Sequence, residues 1–347
     1  MTNEINVHFN ISYYQKSLLT WYQKYGRHNL PWQGDFSPYH VWLSEIMLQQ
    51  TQVKTVIPYF LKFIEVFPDI ITLANEQQDK VMQYWAGLGY YARARNLHKA
   101  AQIMRDFHQG KLPHDVDTLM ALPGIGRSTA HAILSIAFSK PTPILDGNVK
   151  RVFARLFQLG VHPNDKSMER YLWQLANKLM PIENTQAYTQ VQMDFGAALC
   201  TRTRPKCIQC PLNDMCLAYN NQVVKNYPVK KPQKVKPVRS KRFYLYCYQD
   251  ELLLIKKPNK GIWGGLYVLP DEDLYLGEYT HMLCQDQRHI FTHFELNYDI
   301  KVHAVNEKTC INHQGIWVHK NAIKQYALPA PLARHLIISD QKGYDEC

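Results

Sequence analysis

Two carboxylates and four thiols are the residues of this 347-residue chain whose types and placement are suited to chemistry. Glu45 falls on an apolar stripe, four residues after Val41 and three after Trp42. A carboxylate buried there is costly. Either a cation pairs with it, or burial raises its pKa so that it holds a proton near neutral pH and delivers it. Asp146 follows Pro141-Thr-Pro-Ile-Leu and precedes Gly147-Asn-Val-Lys-Arg151, at the N-cap of a helix marked by Val149, Val152, Phe153 and Leu156. Capping is the ordinary work of such an aspartate, and the positive helix end is expected to hold it ionised with a lowered pKa. One carboxyl pushed up and one pushed down pairs an acid with a nucleophile or electrostatic stabiliser, the pattern that breaks a glycosidic bond.

The thiols form Cys200-x6-Cys207-x2-Cys210-x5-Cys216, with Arg202, Arg204 and Lys206 in the first loop. Four cysteines this close point to a metal or cluster. Zinc usually takes two separated CxxC pairs, and only one pair here has that spacing, so a [4Fe–4S] cluster is favoured over zinc. The basic loop suggests a structural clip that displays positive charge to a phosphate chain. Cys247, Cys284, Cys310 and Cys347 are scattered, unlike a disulfide framework.

These groups need elements to hold them. Ser37-Pro38 predicts a helix start, a hydroxyl cap followed by proline at the first helical position, with Val41, Trp42, Ile46 and Val53 as the buried stripe. Gln49-Gln50-Thr51-Gln52 would set amides on that helix, suited to base edges or to filling a duplex. Leu122-Pro-Gly-Ile-Gly-Arg-Ser-Thr-Ala130 reads as a tight turn between two helices. Pro123 stops the first, and Gly124 and Gly126 allow positive φ and close backbone approach. The second then begins with unpaired N–H groups that can take a phosphate. Gly87-Leu-Gly-Tyr90-Tyr91 is a glycine turn with two rings, followed by Arg93, Arg95, Lys99 and Arg105; Tyr90 either wedges between bases or packs in the core.

Lys and Arg number 40 against 29 Asp and Glu, a formal charge of +11 that favours a polyanion such as nucleic acid. The start Met1 to Phe9 does not read as a signal peptide, and no apolar run is long enough to span a membrane. A cytoplasmic protein is expected, with no membrane partner. Tyr227 to Arg239 is rich in Pro and Lys and reads as a linker. Beyond it, Phe243 to Tyr248 and Leu252 to Ile255 read as strands, and Phe294 to Val302 alternates as a half-buried antiparallel strand. A closing helix from about Pro331 to Ser339 completes a small α+β domain.

Taken together, Trp42 to Gln52, Gly87 to Arg95, Leu122 to Ala130, Ile144 to Arg151, the cysteine spacing and Trp263-Gly-Gly-Leu-Tyr267 resemble the helix-hairpin-helix DNA glycosylase superfamily in its iron–sulfur branch. Within that branch the chain is similar over nearly its whole length to the adenine DNA glycosylases of the MutY type. The resemblance implies a bacterial, nucleoid-associated, monomeric repair enzyme that removes adenine mispaired with 8-oxoguanine or guanine from double-stranded DNA. Glu45 would protonate adenine at N7, Asp146 would stabilise the oxocarbenium-like sugar, and Asn148 would hold the site around Asp146. Gln49 and Tyr90 match positions that fill or wedge the stack when the base is flipped. Gln190 matches a position near the adenine edge. Gln50, Gly124, Gly126, Arg127, Ser128 and Lys150 are expected at the DNA.

Ser128 stands where bifunctional relatives of the endonuclease III type carry a lysine, which attacks the sugar as an amine. A serine forms no Schiff base, so the chain is expected to be monofunctional, with any weak lyase activity an accident of Lys150 lying near Asp146. The C-terminal part resembles a Nudix fold without the Glu-rich box and so without a magnesium site. It is expected to read 8-oxoguanine, through Phe291-Thr292-His293 where the family usually has Phe-Ser-His.

The expected architecture is a mainly α helix-hairpin-helix glycosylase module with one [4Fe–4S] cluster and no nucleotide cofactor, followed by a C-terminal α+β Nudix-like domain. The module spans 1–227, with a six-helix lobe at about 30–139 and a cluster lobe from 1–29 and 140–227, the active site lying in the cleft between them. The basic linker is 228–240 and the Nudix-like domain 241–347. Two rivals are a glycosylase/lyase for oxidised pyrimidines and a non-enzymatic metal-containing DNA-binding module.

Overall fold

The computed structural model describes residues 9–34, 36–162, 164–230, 235–309 and 315–337. Cys310, Cys347, part of the linker and the end of the closing helix lie outside them. Two compact units divide the chain, 1–60 with 103–232 and 61–102 with 233–347.

The first unit is helical. Asn10 caps α1 (Ile11–Tyr25), which buries Tyr14, Leu18 and Trp21, whereas Tyr25 is exposed. Ser37 and Pro38 start α2 (Pro38–Leu48) as expected, the Ser37 hydroxyl accepting from the His40 N–H. This helix ends at Leu48, so Val53 does not extend its stripe but opens α3 (Val53–Val66). The glutamines therefore sit on the turn between two helices instead of on one helix face, with Gln50 at φ +58°. Two helices form the hairpin, α7 (Val116–Ala121) and α8 (Arg127–Phe138). Gly124 has φ +84°, as the turn requires. Gly126 does not share that conformation; it caps α8 in extended backbone at φ −88°. Asp146 caps α9 (Gly147–Leu156), and α10 (Lys166–Leu179), α11 (Thr185–Ala198) and the short α12 (Leu217–Asn220) follow. Helix α11 packs against α1, α8 and α9, burying Tyr188, Val191 and Phe195 together with the polar Gln190, Gln192 and Asp194. It therefore touches the helix that carries Asp146 and the one that leaves the hairpin.

The second unit holds the end of α3, then α4 (Ile70–Asn75), α5 (Gln78–Trp85) and the greater part of α6 (Ala92–Phe107), together with a six-stranded sheet. The strands are β1 (Val238–Tyr248), β2 (Glu251–Lys256), β3 (Tyr267–Val268), β4 (Glu278–Ile290), β5 (Glu295–Ala304) and β6 (Gly315–His319). Their order is β3-β2-β1-β5-β4, with β6 also on β2. The alternation through Leu296, Tyr298, Ile300 and Val302 forms β5 and buries those four side chains. That strand is antiparallel only to β4; on its other side it runs parallel to β1, Val238 facing Glu295 and Cys247 facing Ala304. Helix α13 (Ala330–Leu336) closes the core with Leu332 and Leu336. Cys247 is buried in this core and Cys284 packs against it. No helix among the described residues is long and apolar enough to cross a membrane.

Candidate active site

Glu45 on α2 and Asp146 at the head of α9 line one cavity of about 580 Å³ in the first unit, together with Arg27, Gln49 to Gln52, Ser128 and Asn148. A smaller cavity of about 30 Å³ shares Glu45 and Arg27 and adds Trp32, Gln33 and Gln190. Burial of the Glu45 carboxyl, with Asp146 nearby, pushes its pKa up to about 7. No hydrogen-bond donor to that carboxyl is found among the described residues.

Asp146 is the better solvated of the two by protein groups. The Val149 N–H donates to Oδ1 at 2.8 Å and the Asn148 side-chain amide to Oδ2 at 3.0 Å. The expected cap is thus present, but the expected lowering of the pKa is not. Burial raises the carboxyl above its ordinary value, and the hydrogen bonds and the charge of Arg151 only partly oppose it. A cap in water and a cap under a neighbouring helix differ by the desolvation of the charge.

Around this pair the hairpin is set by local bonds. Gln49 Nε2 donates to the Gly124 carbonyl at 3.2 Å and meets Thr129 Oγ1 at 3.4 Å. The Ser128 hydroxyl accepts the Leu145 N–H at 3.1 Å, tying α8 to the strand of chain that ends in Asp146. At Gly126 an added Cβ would meet nothing within 4 Å, so this helix start is open on its outer side. Lys150 does not face the pair: Glu169 takes its Nζ at 2.7 Å and Asn164 at 3.0 Å, a carboxylate on the next helix that its sequence neighbours do not reveal. Tyr90 and Phe291-Thr292-His293 belong to the second unit, where Tyr90 Oη lies 3.2 Å from Thr292 Oγ1. Phe291 stacks on Phe294 with ring centroids 4.5 Å apart.

The four cysteines of the loop line a single cavity after α11. Burial raises the Cys210 thiol to about 12, with Cys200, Cys216 and Cys207 close enough to add to the shift. Arg155 reaches Cys200 Sγ at 3.4 Å and donates to the carbonyls of Thr201 and Arg202 at 2.7 and 3.1 Å. Among the described residues no group of three or more His, Cys, Asp or Glu side chains is arranged to hold a single metal ion.

Residues 43–178 match the HhH-GPD superfamily of base excision DNA repair proteins, and 242–337 match the NUDIX domain. The adenine DNA glycosylase of Buchnera aphidicola subsp. Schizaphis graminum is 38% identical over 340 residues, covering 94% of this chain and 98% of that protein. The chain belongs to the adenine DNA glycosylase family. The adenine DNA glycosylase of Rattus norvegicus is 30% identical over 375 residues, with 86% of this chain and 72% of that protein covered. A thermostable thymine-DNA glycosylase shares the fold at a TM-score of 0.56 and 26% identity, covering 61% of this chain and 97% of its own. A non-covalent endonuclease III–DNA complex matches at a TM-score of 0.53 and 24% identity, over 61% of this chain and 96% of that one, and shows the fold alone. An adenine DNA glycosylase is a hydrolase of N-glycosyl bonds in base excision repair, and the helical module followed by a Nudix-like domain is the architecture the sequence implies.

Several of the groups that shape this site fall outside the motifs of the sequence. Asp194, 1% exposed, accepts from the Arg27 N–H and Nε, both at 2.8 Å, and from Gln190 Nε2 at 3.0 Å. Arg151 Nη2 donates to Asn148 Oδ1 at 2.9 Å and to the Gly196 carbonyl at 2.7 Å, while its Nε reaches the Cys200 carbonyl. Gly196 lets α11 approach: a Cβ there would lie 2.5 Å from that of Asn148. The available signals were a charge on the apolar stripe of α11 and a glycine inside a helix. Neither says which partner it meets.

Proposed function

We propose that this glycosylase excises adenine mispaired with 8-oxoguanine or guanine in duplex DNA, after flipping the adenine into the cavity that Glu45 and Asp146 share. The single observation that carries the reading is the pair itself. Two carboxyls on one cavity do not both ionise readily, and the proton goes to the one with no donors, Glu45, while Asp146 keeps the charge on two donated hydrogen bonds. Glu45 then delivers its proton to N7 as the glycosidic bond lengthens, and Asp146 stabilises the positive charge that grows on the sugar until water adds. Gln190, its amide nitrogen held by Asp194, has its carbonyl oxygen left to accept from the adenine amino group.

The outward N–H groups of Gly126 and Arg127 at the head of α8 suit a DNA phosphate. Gln49 and Gln50 stand on the turn that borders the cavity, placed to fill the gap in the stack. Phe291, Thr292 and His293, with Tyr90 beside them, are the reader of the opposite base; threonine keeps the hydroxyl of the usual serine. Strand cleavage by an amine has no support, since Ser128 is engaged and Lys150 is held by Glu169. Cys200, Cys207, Cys210 and Cys216 would hold a [4Fe–4S] cluster. The four line one cavity, as the ligands of a single group must, and only one of their spacings is the CxxC that zinc usually takes twice. A cluster held there would clip the loop that carries Arg202, Arg204 and Lys206, whose charges suit a phosphate chain.

The test is single-turnover base release on duplexes with one adenine opposite 8-oxoguanine, guanine or thymine. Release of free adenine opposite 8-oxoguanine, with the strand uncut until alkali is added, is expected. Intact protein that binds the duplex and releases nothing overturns the assignment.

A further inference from the structure

In the second unit the contacts between α5, the start of α6 and the sheet converge on one carboxylate. Asp79, in the first turn of α5, takes Lys256 Nζ on both oxygens, at 2.5 and 2.6 Å, and the Tyr267 hydroxyl at 3.0 Å. Lys256 on β2 and Tyr267 on β3 are register partners, so one side chain clasps two adjacent strands. Around it Gln78 Nε2 donates to Asn259 Oδ1 at 3.0 Å, Arg95 to the Gly264 carbonyl, and Tyr91 to the Leu328 carbonyl at 3.4 Å. Gly265, at φ +76°, lies against the same helices: a Cβ there would sit 2.8 Å from Asn259 Oδ1 and 3.5 Å from Arg95 Cδ. Tyr90 stands in the turn between the two helical segments that make these contacts, itself at φ +49°, with its hydroxyl on Thr292.

We propose that Asp79 is a positioning residue for discrimination of the base opposite adenine: by clasping β2 and β3 it sets the separation of Tyr90 and Thr292. This rests on the reading above that those two residues face the opposite base. Asp79 touches no substrate. Its side chain is 38% exposed, and an ion pair so exposed adds little to stability, so its loss leaves the unit folded. Hydrogen bonds that tell 8-oxoguanine from guanine weaken steeply with distance and angle, and a small displacement of the reader is therefore felt in specificity before it is felt in folding.

The experiment is a charge swap in the full-length protein. Asp79→Lys, Lys256→Asp and the double variant are compared with the parent for single-turnover adenine release opposite 8-oxoguanine and opposite guanine. Each single variant is expected to lose the preference for 8-oxoguanine by on the order of tenfold, with release opposite guanine at saturating protein unchanged. The double variant, which restores both the pair and the net charge, recovers the preference. Single variants that keep the preference, lose both rates equally, or are not rescued by the swap overturn the role of Asp79. A parent protein that releases adenine without any preference overturns the opposite-base reading beneath it, and one that releases none overturns the assigned reaction.

Discussion

The Asn148 amide donates to Asp146 Oδ2 at 3.0 Å while its own carbonyl oxygen is held by Arg151 at 2.9 Å. The Val149 N–H takes the other carboxylate oxygen, so the plane of Asp146 is determined from both sides. Asn148→Ala removes one donor from a carboxylate that burial already pushes up. Asp146 should then ionise at higher pH, and the acid limb of the pH–rate profile should move upward with a loss of about tenfold or more at neutral pH. Single-turnover release across a pH series checks both.

Glu45 governs the alkaline side. With its pKa at about 7, the proton it delivers is lost as the pH rises through neutrality, and release should fall about tenfold per unit above that point. Glu45→Gln abolishes release at every pH and Asp146→Asn does the same, both with lesion-DNA binding retained; binding lost in step with activity would refute these roles.

The same shift carries a stability consequence. The folded protein holds the Glu45 proton up to about 7, whereas the unfolded chain releases it near 4.5. The stabilising contribution is therefore complete below the unfolded value and is lost as pH rises through the folded one. Glu45→Gln should be more stable than the parent at pH 8, by about 3 kcal/mol, and nearly equal to it at pH 4.5. Urea unfolding at the two pH values measures the difference.

Gly196→Ala should disturb the site without touching it. The new Cβ would lie 2.5 Å from that of Asn148, and either α11 or the head of α9 must move. A loss of about 1–3 kcal/mol is expected, together with slower release. Thermal unfolding and the single-turnover rate should change together.

Asp194→Asn leaves Arg27 beside a neutral partner. Loss of one member of a buried pair costs about 3–5 kcal/mol; Arg27 is 35% exposed, so a value on the order of 2 kcal/mol is expected. Denaturant unfolding gives the figure, and a weakened response to adenine analogues lacking the amino group would trace the accompanying slip of Gln190.

Purified protein should carry about four iron atoms per chain and absorb broadly in the visible. Cys210→Ser should lose both and bind DNA more weakly. Stoichiometric zinc with no visible absorption would instead identify the other candidate.

Much of the site was legible because it is written in short stretches. Ser37-Pro38, the cap at Asp146, the Gly124 turn and the cysteine spacing are each decided within a few residues, where capping, φ and ligand reach are local matters. Glu45 stood out as a costly carboxylate on an apolar stripe, but the stripe alone left open whether a cation pairs with it. Tertiary structure decided what those stretches meet. Asp146 has a raised pKa because burial under neighbouring helices outweighs its own cap, a quantity with no trace in the residues beside it. Lys150 turned away from Asp146 because Glu169 is on the next helix, and β5 runs parallel to β1 because a distant strand became its neighbour. Local geometry depends on the chain itself, whereas desolvation and charge pairing depend on whichever element folding brings alongside.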